Sequence, residues 1–498
     1  MSINPDQERK DKPRGELSQP QAVRTGLGRR DFFGHMGDGL LGTALAGLLT
    51  DDLISGRPAD AAVVTRQGLQ PRLPHVEPGA TSVIQLFMTG GPSQVDMFDP
   101  KPALVKHEGE LPRAFLDNVE SVGVAGGLLP SPFKFARHGQ SGMPMSEVIP
   151  HLAECADDIA LIRSMWTDSF DHLAAIFLMH SGRTRNLSPS LGSWVVYGLG
   201  SDNKNLPAYV ALDDPDRQIL AGKTNWQAGF LPPICQGTRL RSVGAPILHL
   251  NAEQDFPDPV LELSRDLLAT LAREHRDARA GQVELNARIA SYELAARMQI
   301  SATQALDISQ ETQQTHDLYG LNDKVSASYG RRCLMARRLI ERGVRIVQVY
   351  MNCDPSDNPW DHHGNIKDAL PHSCRQTDKS VAGLLKDLKQ RGLLDQTLVV
   401  WGGEFGRLPL SQGKGRDHGA NGFSVWLAGG GVQGGTIYGA TDEFGYHAVE
   451  NRVSVHDLHA TILHCLGIDH EKLIYNHHGL EEQLTGVDPA RVVKEILS

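Results

Sequence analysis

The sequence predicts an α/β protein built on a mostly parallel central sheet flanked by helices. Three observations point there. The runs "SVIQLFM", "VRIVQVYM" and "TLVVWGG" are nearly continuous in apolar residues, as expected of strands covered on both faces. Segments with apolar residues at helical spacing lie between them. Strands and helices alternate along the chain, which is the order of a parallel sheet.

Taken in order, the first core strand is Ser82 to Met88, stopped by Thr89-Gly90-Gly91-Pro92. A second runs from Asp158 to Met165, and Leu206–Leu212 and Ile247–Leu250 are shorter candidates. Across 259–300, Leu263, Leu267 and Leu271, then Leu285, Ile289 and Leu294, recur at helical spacing. A helix over 325–342 buries Met335 and Leu339, turns Arg337 and Arg338 outward, and stops at Gly343. The strand Val344–Met351 follows, then a helix marked by Val381, Leu384, Leu385 and Leu388 and ended by Gly392. Thr397–Gly403 is the last strong strand, and Ser454-x-x-Asp457 is a capping box opening the final helix. The expected organisation is a leader over 1–61 and a single α/β domain over 62–498 with a helical insertion around 259–342.

With 498 residues, 40% of them hydrophobic, the chain can bury a substantial core. A net charge of -10 supplies no positive field for nucleic acid. The six cysteines, Cys155, Cys235, Cys333, Cys353, Cys374 and Cys465, form no Cys-x-x-Cys pair. That excludes the usual zinc knuckle and suggests no dense disulfide framework. Residues 1–28 are polar and read as disordered. Arg29-Arg30, Phe32-Phe33 and a weakly apolar stretch then resemble a twin-arginine export signal, with Ala59-Asp60-Ala61 as a cleavage site. The expected location is periplasmic or extracellular. The apolar part is too short to span a bilayer stably, and no other membrane segment is evident.

Ligands of open α/β sheets collect beyond the carboxyl ends of strands. Each strong strand here is followed by polar residues: "TGGPSQVDMFDPKP", "WTDSFDH", "NCDPSDNPWDHHGN" and "GGEFGRLPLSQGKGRDHG". If those strands are neighbours, Asp96, His172, Asp361, His363, Glu404, Asp417 and His418 share one edge. Carboxylates mixed with imidazoles, without thiolates, suit Zn, Mn, Fe or Mg. Metals held this way activate oxygens in phosphate or sulfate ester hydrolysis. Each residue also has a plain structural reading. Asp361 and His363 would order a turn, Glu404 would pair with Arg407, and Asp417-His418 would be solvated. His172 would cap or pack a helix, and Asp96 and Asp99 would cap or turn. Ser93 reads as an N-cap more readily than as a nucleophile. Arg183 and Arg407 would either hold an anionic group or pair elsewhere, and His477-His478 reads as surface.

The stretches "GGPSQVDMFDPKP", "PSLGSWVVYGLGSDNKNLPAYVAL", "WDHHGN", "WGGEFGRLP" and "GRDHGANGFSVWLAGGGVQGG" resemble the exported "domain of unknown function 1501" family. That family is placed near the sulfatases in the alkaline phosphatase superfamily. The resemblance covers nearly the whole chain past the leader and implies an alkaline phosphatase/sulfatase-like fold, without naming a substrate. "TLVVWGGEFG" is similar to the sulfatase strand ending in Asp-His-Gly or Asp-Asn-Gly; Glu404 takes the Asp place and Phe405 that of His or Asn. Val453–Asp469 resembles the late sulfatase helix, matching Asp457 and Thr461. "DHLAAIFLMHSGR" resembles the helix that ends in Thr-Gly-Arg, which puts His172 at the nucleophile place and Arg183 at the Arg. The family's Asp and His, two residues apart, select Asp361 and His363, with His362 as bystander.

Two departures are marked. The Cys-x-Pro-x-Arg motif is absent, and Cys353-Asp354-Pro355 is a decoy lying too late in the chain. Thr89-Gly90-Gly91 stands where sulfatases carry an Asp-Asp metal pair, leaving Asp96 to reach in from the next loop. An imidazole at position 172 would ligate metal or act as general base; Thr167 or Ser169 is the alternative nucleophile. The expectation is an exported hydrolase of sulfate or phosphate esters, on a small molecule or polysaccharide. It would depend on a divalent metal (Zn, Mn, Ca or Fe) held by Asp96, His172, Asp361, His363, Glu404 and His418. His172, Ser93, Arg183 and Arg407 would serve the chemistry. The other reading is a catalytically retired fold that binds glycans or proteins outside the cytoplasm.

Overall fold

In the computed structural model the described residues are 69–112, 126–212, 214, 219–244, 247, 258–277, 283–351, 360–486 and 489–498. The leader over 1–61, Cys353, and residues 248–250 of the Ile247–Leu250 candidate lie outside them. Among the described residues no helix is long and apolar enough to cross a membrane.

The elements that position the site are, in chain order, strand β1 (Ser82–Met88), β2 (Ile159–Trp166), helix α1 (His172–Ser181), α2 (Leu191–Leu199), β3 (Tyr209–Leu212) and β4 (Thr238–Leu240). They continue with α3 (Asp258–Asp277), α4 (Val283–Leu306), α5 (Ala327–Glu341), β5 (Ile346–Met351), α6 (Ile366–Gln390) and β6 (Thr397–Gly402). The last are β7 (Gly406–Gln412), β8 (Gly415–Gly419), β9 (Phe423–Ala428), β10 (Ile437–Tyr438), β11 (Val453–Ser454) and α7 (Val455–Cys465).

The central sheet runs β10-β2-β9-β6-β1-β5-β3-β4, with β11 also on β2. β9 pairs antiparallel with both β2 and β6, and every other pairing in this sheet is parallel. The apolar runs are buried on both faces. Ile84, Leu86 and Met88 join Val347, Val349, Val399 and Trp401 beneath α5 and α6. Val83, Phe87, Ile346, Tyr350, Leu398 and Val400 face α1, α2 and α7. The result is a mixed α/β fold with helices on both sides of a mostly parallel sheet.

Two segments differ from the sequence reading. α6 starts at Ile366, fifteen residues before the first periodic leucine-type position; Asn365 caps it, and Pro371 in its second turn masks the pattern. The Gly/Lys/Arg-rich stretch read as a loop is the hairpin β7–β8. Its Leu408 and Leu410 pack with Val95, Leu104, Leu128 and Tyr446, a small core far away in sequence. The capping box at Ser454 and Asp457 is present as expected, with both reciprocal hydrogen bonds.

Candidate metal centre

Parallel pairing aligns β1, β5 and β6, and β2 runs the same way because β9 lies antiparallel to both β2 and β6, so the carboxyl ends of all four share one edge and the residues beyond them converge. β1 gives way to Gly90 and Gly91, both with positive φ. A Cβ on Gly90 would lie 2.7 Å from the Asp361 nitrogen, so glycine is what lets the Asp361 loop approach. His172 opens α1 behind an Asp171 cap, whose side chain accepts from Ala174 N. Phe405 packs its ring 4.9 Å from His172 and 4.7 Å from His418, closing the floor.

Three imidazoles turn toward the Asp361 carboxylate. His172 Nε2 lies 3.4 Å from Asp361 Oδ2, while His363 Nε2 and His418 Nε2 lie 2.7 Å and 3.3 Å from Oδ1. Each ring is oriented through its other nitrogen. His172 Nδ1 faces Glu404 Oε1 at 2.6 Å, His418 Nδ1 faces the Phe170 carbonyl at 2.8 Å, and His363 Nδ1 faces Gln412 Oε1. The ligand atoms of His172, Asp361 and His418 lie within 4.8 Å of one another, as do those of His363, Asp417 and His418. A tetrahedral ion with bonds of about 2.1 Å separates its ligand atoms by roughly 3.4 Å, so this spacing fits a divalent cation. Two carboxylate oxygens beside the cluster, Glu404 Oε2 and Asp417 Oδ2, are buried with no hydrogen-bond partner among the described residues. Buried carboxylate oxygens without donors also fit a cation at this place.

Burial pushes the Asp361 carboxyl up, but hydrogen bonds from His172, His363 and His418 and the Arg407 charge hold it well below the usual carboxylate range. Burial pushes the His172 imidazole down, yet Asp361 and Glu404 together raise it to about 9. Burial lowers His418, and the charges of Arg407 and His172 add to that against the pull of Asp361. The anionic Asp361 is therefore the electrostatic centre of the group.

Several expected roles are corrected by the contacts. Asp96 is not among the gathered ligands: it forms a fully buried two-point ion pair with Arg416, at 2.6 Å and 3.1 Å. Ser93 occupies an N-cap position, but its hydroxyl donates to the Asp96 carboxylate at 2.5 Å and caps no backbone N–H. Arg183 lies past the far end of α1, about 15 Å along the helix from His172, and pairs with Glu482 at 3.5 Å. Arg407 does reach the centre, but as a strut. It donates to Asp361 at 2.5 Å, to the Gly91 carbonyl at 2.9 Å, to the Arg416 carbonyl at 3.2 Å and to the Gly90 carbonyl. Those bonds engage four of its five N–H groups, and Nη1 also lies 3.4 Å from His363 Nε2.

Glu404 stands behind His172, and its Oε1 also accepts from Gly90 N at 2.9 Å. Asp99 is buried with Arg163 and Lys101. His362 faces Ser373 at 3.1 Å, consistent with a bystander. His477 and His478 sit with Phe230 and Tyr475 in an aromatic cluster near the C-terminal end. Asp417 joins the cluster although its Gly-rich surroundings suggested solvent. Sequence reading missed Gln94 and Arg416, whose roles follow from burial, and Gln412, whose role follows from its contact with His363; none carries a motif.

A model of the family described as "Protein of unknown function (DUF1501)" matches residues 80–497. No curated protein matches. Among solved structures, the chain is similar to the lipoteichoic acid synthase LtaP from Listeria monocytogenes, at 10% identity over 81% of this chain and 76% of that one, with a TM-score of 0.34. It is similar to the phosphonate monoester hydrolase SpPMH from Silicibacter pomeroyi, at 12% identity over 70% and 71%, with a TM-score of 0.34. It is also similar to the PsFucS1 sulfatase from Pseudoalteromonas sp., at 10% identity over 79% and 68%, with a TM-score of 0.31. With the family model spanning the entire sheet and every residue of the cluster, the chain belongs to the DUF1501 family.

Proposed function

We propose that this chain is an exported, metal-dependent hydrolase of sulfate or phosphate esters. One observation carries the metal: His172, His363 and His418 each have Nδ1 engaged outward and Nε2 turned to Asp361. Backing partners on Nδ1 are how proteins fix the tautomer of a ligating imidazole. A bound divalent ion supplies Lewis acidity toward an ester oxygen and lowers the pKa of water. His172, Asp361 and His418 would hold it, with His363 and Asp417 completing the adjoining group. Glu404 keeps His172 aligned, Arg407 holds Asp361 in place, and Phe405 excludes water from below. His172 serves as ligand or as general base; its Nε2 faces the centre in either role. The ester class follows from the sulfatase-like sequence pattern, and export from the twin-arginine leader.

Elemental analysis of the purified protein tests the proposal. The expected result is near-stoichiometric Zn, Mn, Ca or Fe, lost in Asp361→Ala and His418→Ala, with chelator-sensitive cleavage of aryl sulfates or aryl phosphates. Metal-free protein that hydrolyses neither class would sink it. A second reading, a retired fold that binds glycans or proteins, is favoured by one observation. The two arginines expected to hold an anionic group, Arg183 and Arg407, are both engaged in internal contacts. That reading expects glycan binding that persists in chelator.

A further inference from the structure

Asp417 and His418 are consecutive residues of β8, and a regular strand would send them to opposite faces. Both nevertheless offer ligand atoms to one group with His363. The pairing of β8 with β7 explains this, because its register slips between Arg416 and His418. Such a bulge re-aims side chains locally. The residue just before the slip, Arg416, is bound by Asp96 at two points, and neither side chain has any solvent exposure. Ser93 donates to the same carboxylate at 2.5 Å.

The facing strand is gripped from the same turn. Gln94 donates from Nε2 to the Arg407 carbonyl at 2.7 Å and accepts the Arg407 N–H on Oε1 at 2.9 Å. Its side-chain amide thereby replaces a neighbouring strand at Arg407. The Ser93–Asp96 turn thus holds β7 by Gln94 and β8 by Asp96. A fully buried ion pair contributes little net stability relative to an apolar pair of the same shape, so fixing geometry is the role that fits it.

We propose that Asp96 and Arg416 are positioning residues that lock the bulge at Asp417, so that Asp417 and His418 face one cation. This deepens the metal-centre reading and rests on it. Titration of metal-stripped full-length protein with Zn²⁺ or Mn²⁺ tests it, using calorimetry alongside a thermal melt. The double variant Asp96→Leu/Arg416→Met removes the charges as a pair. The shape-preserving Asp96→Asn removes one charge and decides the matter if the double variant does not fold. The expected result is a cooperative melt with metal affinity lowered about 10–100-fold. Wild-type affinity in either folded variant overturns the proposal. Loss of folding in both variants also overturns it, because the pair is then a stability element. Absence of metal binding by the wild-type protein instead overturns the metal-centre reading itself.

Discussion

His172 donates its Nδ1–H to Glu404 across 2.6 Å, tying the first turn of α1 to the loop after β6. The same carboxylate oxygen accepts from Gly90 N, so one side chain fixes both an imidazole and the turn beneath Asp361. A partner of this kind typically changes metal affinity 10–100-fold when removed. Glu404→Gln keeps an acceptor oxygen and is expected to weaken Zn²⁺ or Mn²⁺ binding about 10-fold. Glu404→Ala is expected to weaken it about 100-fold. Titration of stripped protein measures both, and wild-type affinity in Glu404→Ala would show that His172 is no ligand.

Asp361 and His418 separate metal binding from folding. Both substitutions to Ala are expected to abolish stoichiometric metal. Asp361→Ala also leaves the Arg407 guanidinium, which has no solvent exposure, without its carboxylate. Breaking a buried pair by removing one partner costs about 3–5 kcal/mol. His418→Ala deletes a hydrogen bond to the Phe170 carbonyl, a loss of about 1 kcal/mol. Urea midpoints in chelator should therefore fall clearly for Asp361→Ala and little for His418→Ala. Equal midpoints would mean that Arg407 draws no support from Asp361.

The sheet was legible because burial on both faces writes itself as continuous apolar runs. Ser82–Met88 matches to the residue, and the strands ending at Met351 and Gly402 begin or end within two residues of expectation. The hairpin β7–β8 was not legible. Its composition is that of a solvated loop, and Leu408 and Leu410 find their partners far away in sequence. In the site, His172, Asp361, His363 and His418 stand out as polar residues in the segments that follow the core strands. Which charges pair was invisible. Asp96 looks like a ligand and Arg416 like a surface cation until burial shows them bonded to each other. Gln94 has no titratable group to attract notice, yet it satisfies both backbone groups of Arg407.

A buried amide ladder at the sheet centre makes a separate prediction. Gln348 Nε2 donates to Gln85 Oε1 at 2.8 Å, and Gln348 Oε1 accepts from Tyr209 at 2.6 Å and Tyr350 at 2.9 Å. Gln348→Leu removes both functions and leaves Gln85 Oε1 without its donor between β1 and β5. The expected destabilisation is about 2–4 kcal/mol. The double variant Gln85→Leu/Gln348→Leu should be less destabilised than the sum of the single variants, since it leaves no orphan amide. Additive urea midpoints across the four proteins would mean that the amide–amide bond contributes no coupling.

Two histidines between α1 and α7 set the acid limb of stability. Burial lowers His180 to about 4 and His459 to about 3. In the fold both are neutral. The His180 Nδ1–H donates to the Ile176 carbonyl at 2.8 Å, and the His459 Nε2–H donates to the Met179 carbonyl at 2.9 Å. In the unfolded chain each titrates near 6.5. The unfolded state therefore binds more protons as pH falls below 6.5, and stability drops until the folded groups also protonate. Their contribution is fully present above pH 6.5. Between pH 8 and pH 5 the two groups together remove about 4 kcal/mol. Urea midpoints at pH 8, 6.5 and 5, taken in chelator so that metal binding adds no slope, measure this fall as the difference between wild type and a variant lacking the two groups. His180→Gln/His459→Gln keeps an amide donor in each place without a group that protonates, so wild type should lose about 4 kcal/mol relative to this variant over the same interval, whatever slope other groups such as His172 give to both. A double variant with the wild-type slope would assign the acid sensitivity to other groups.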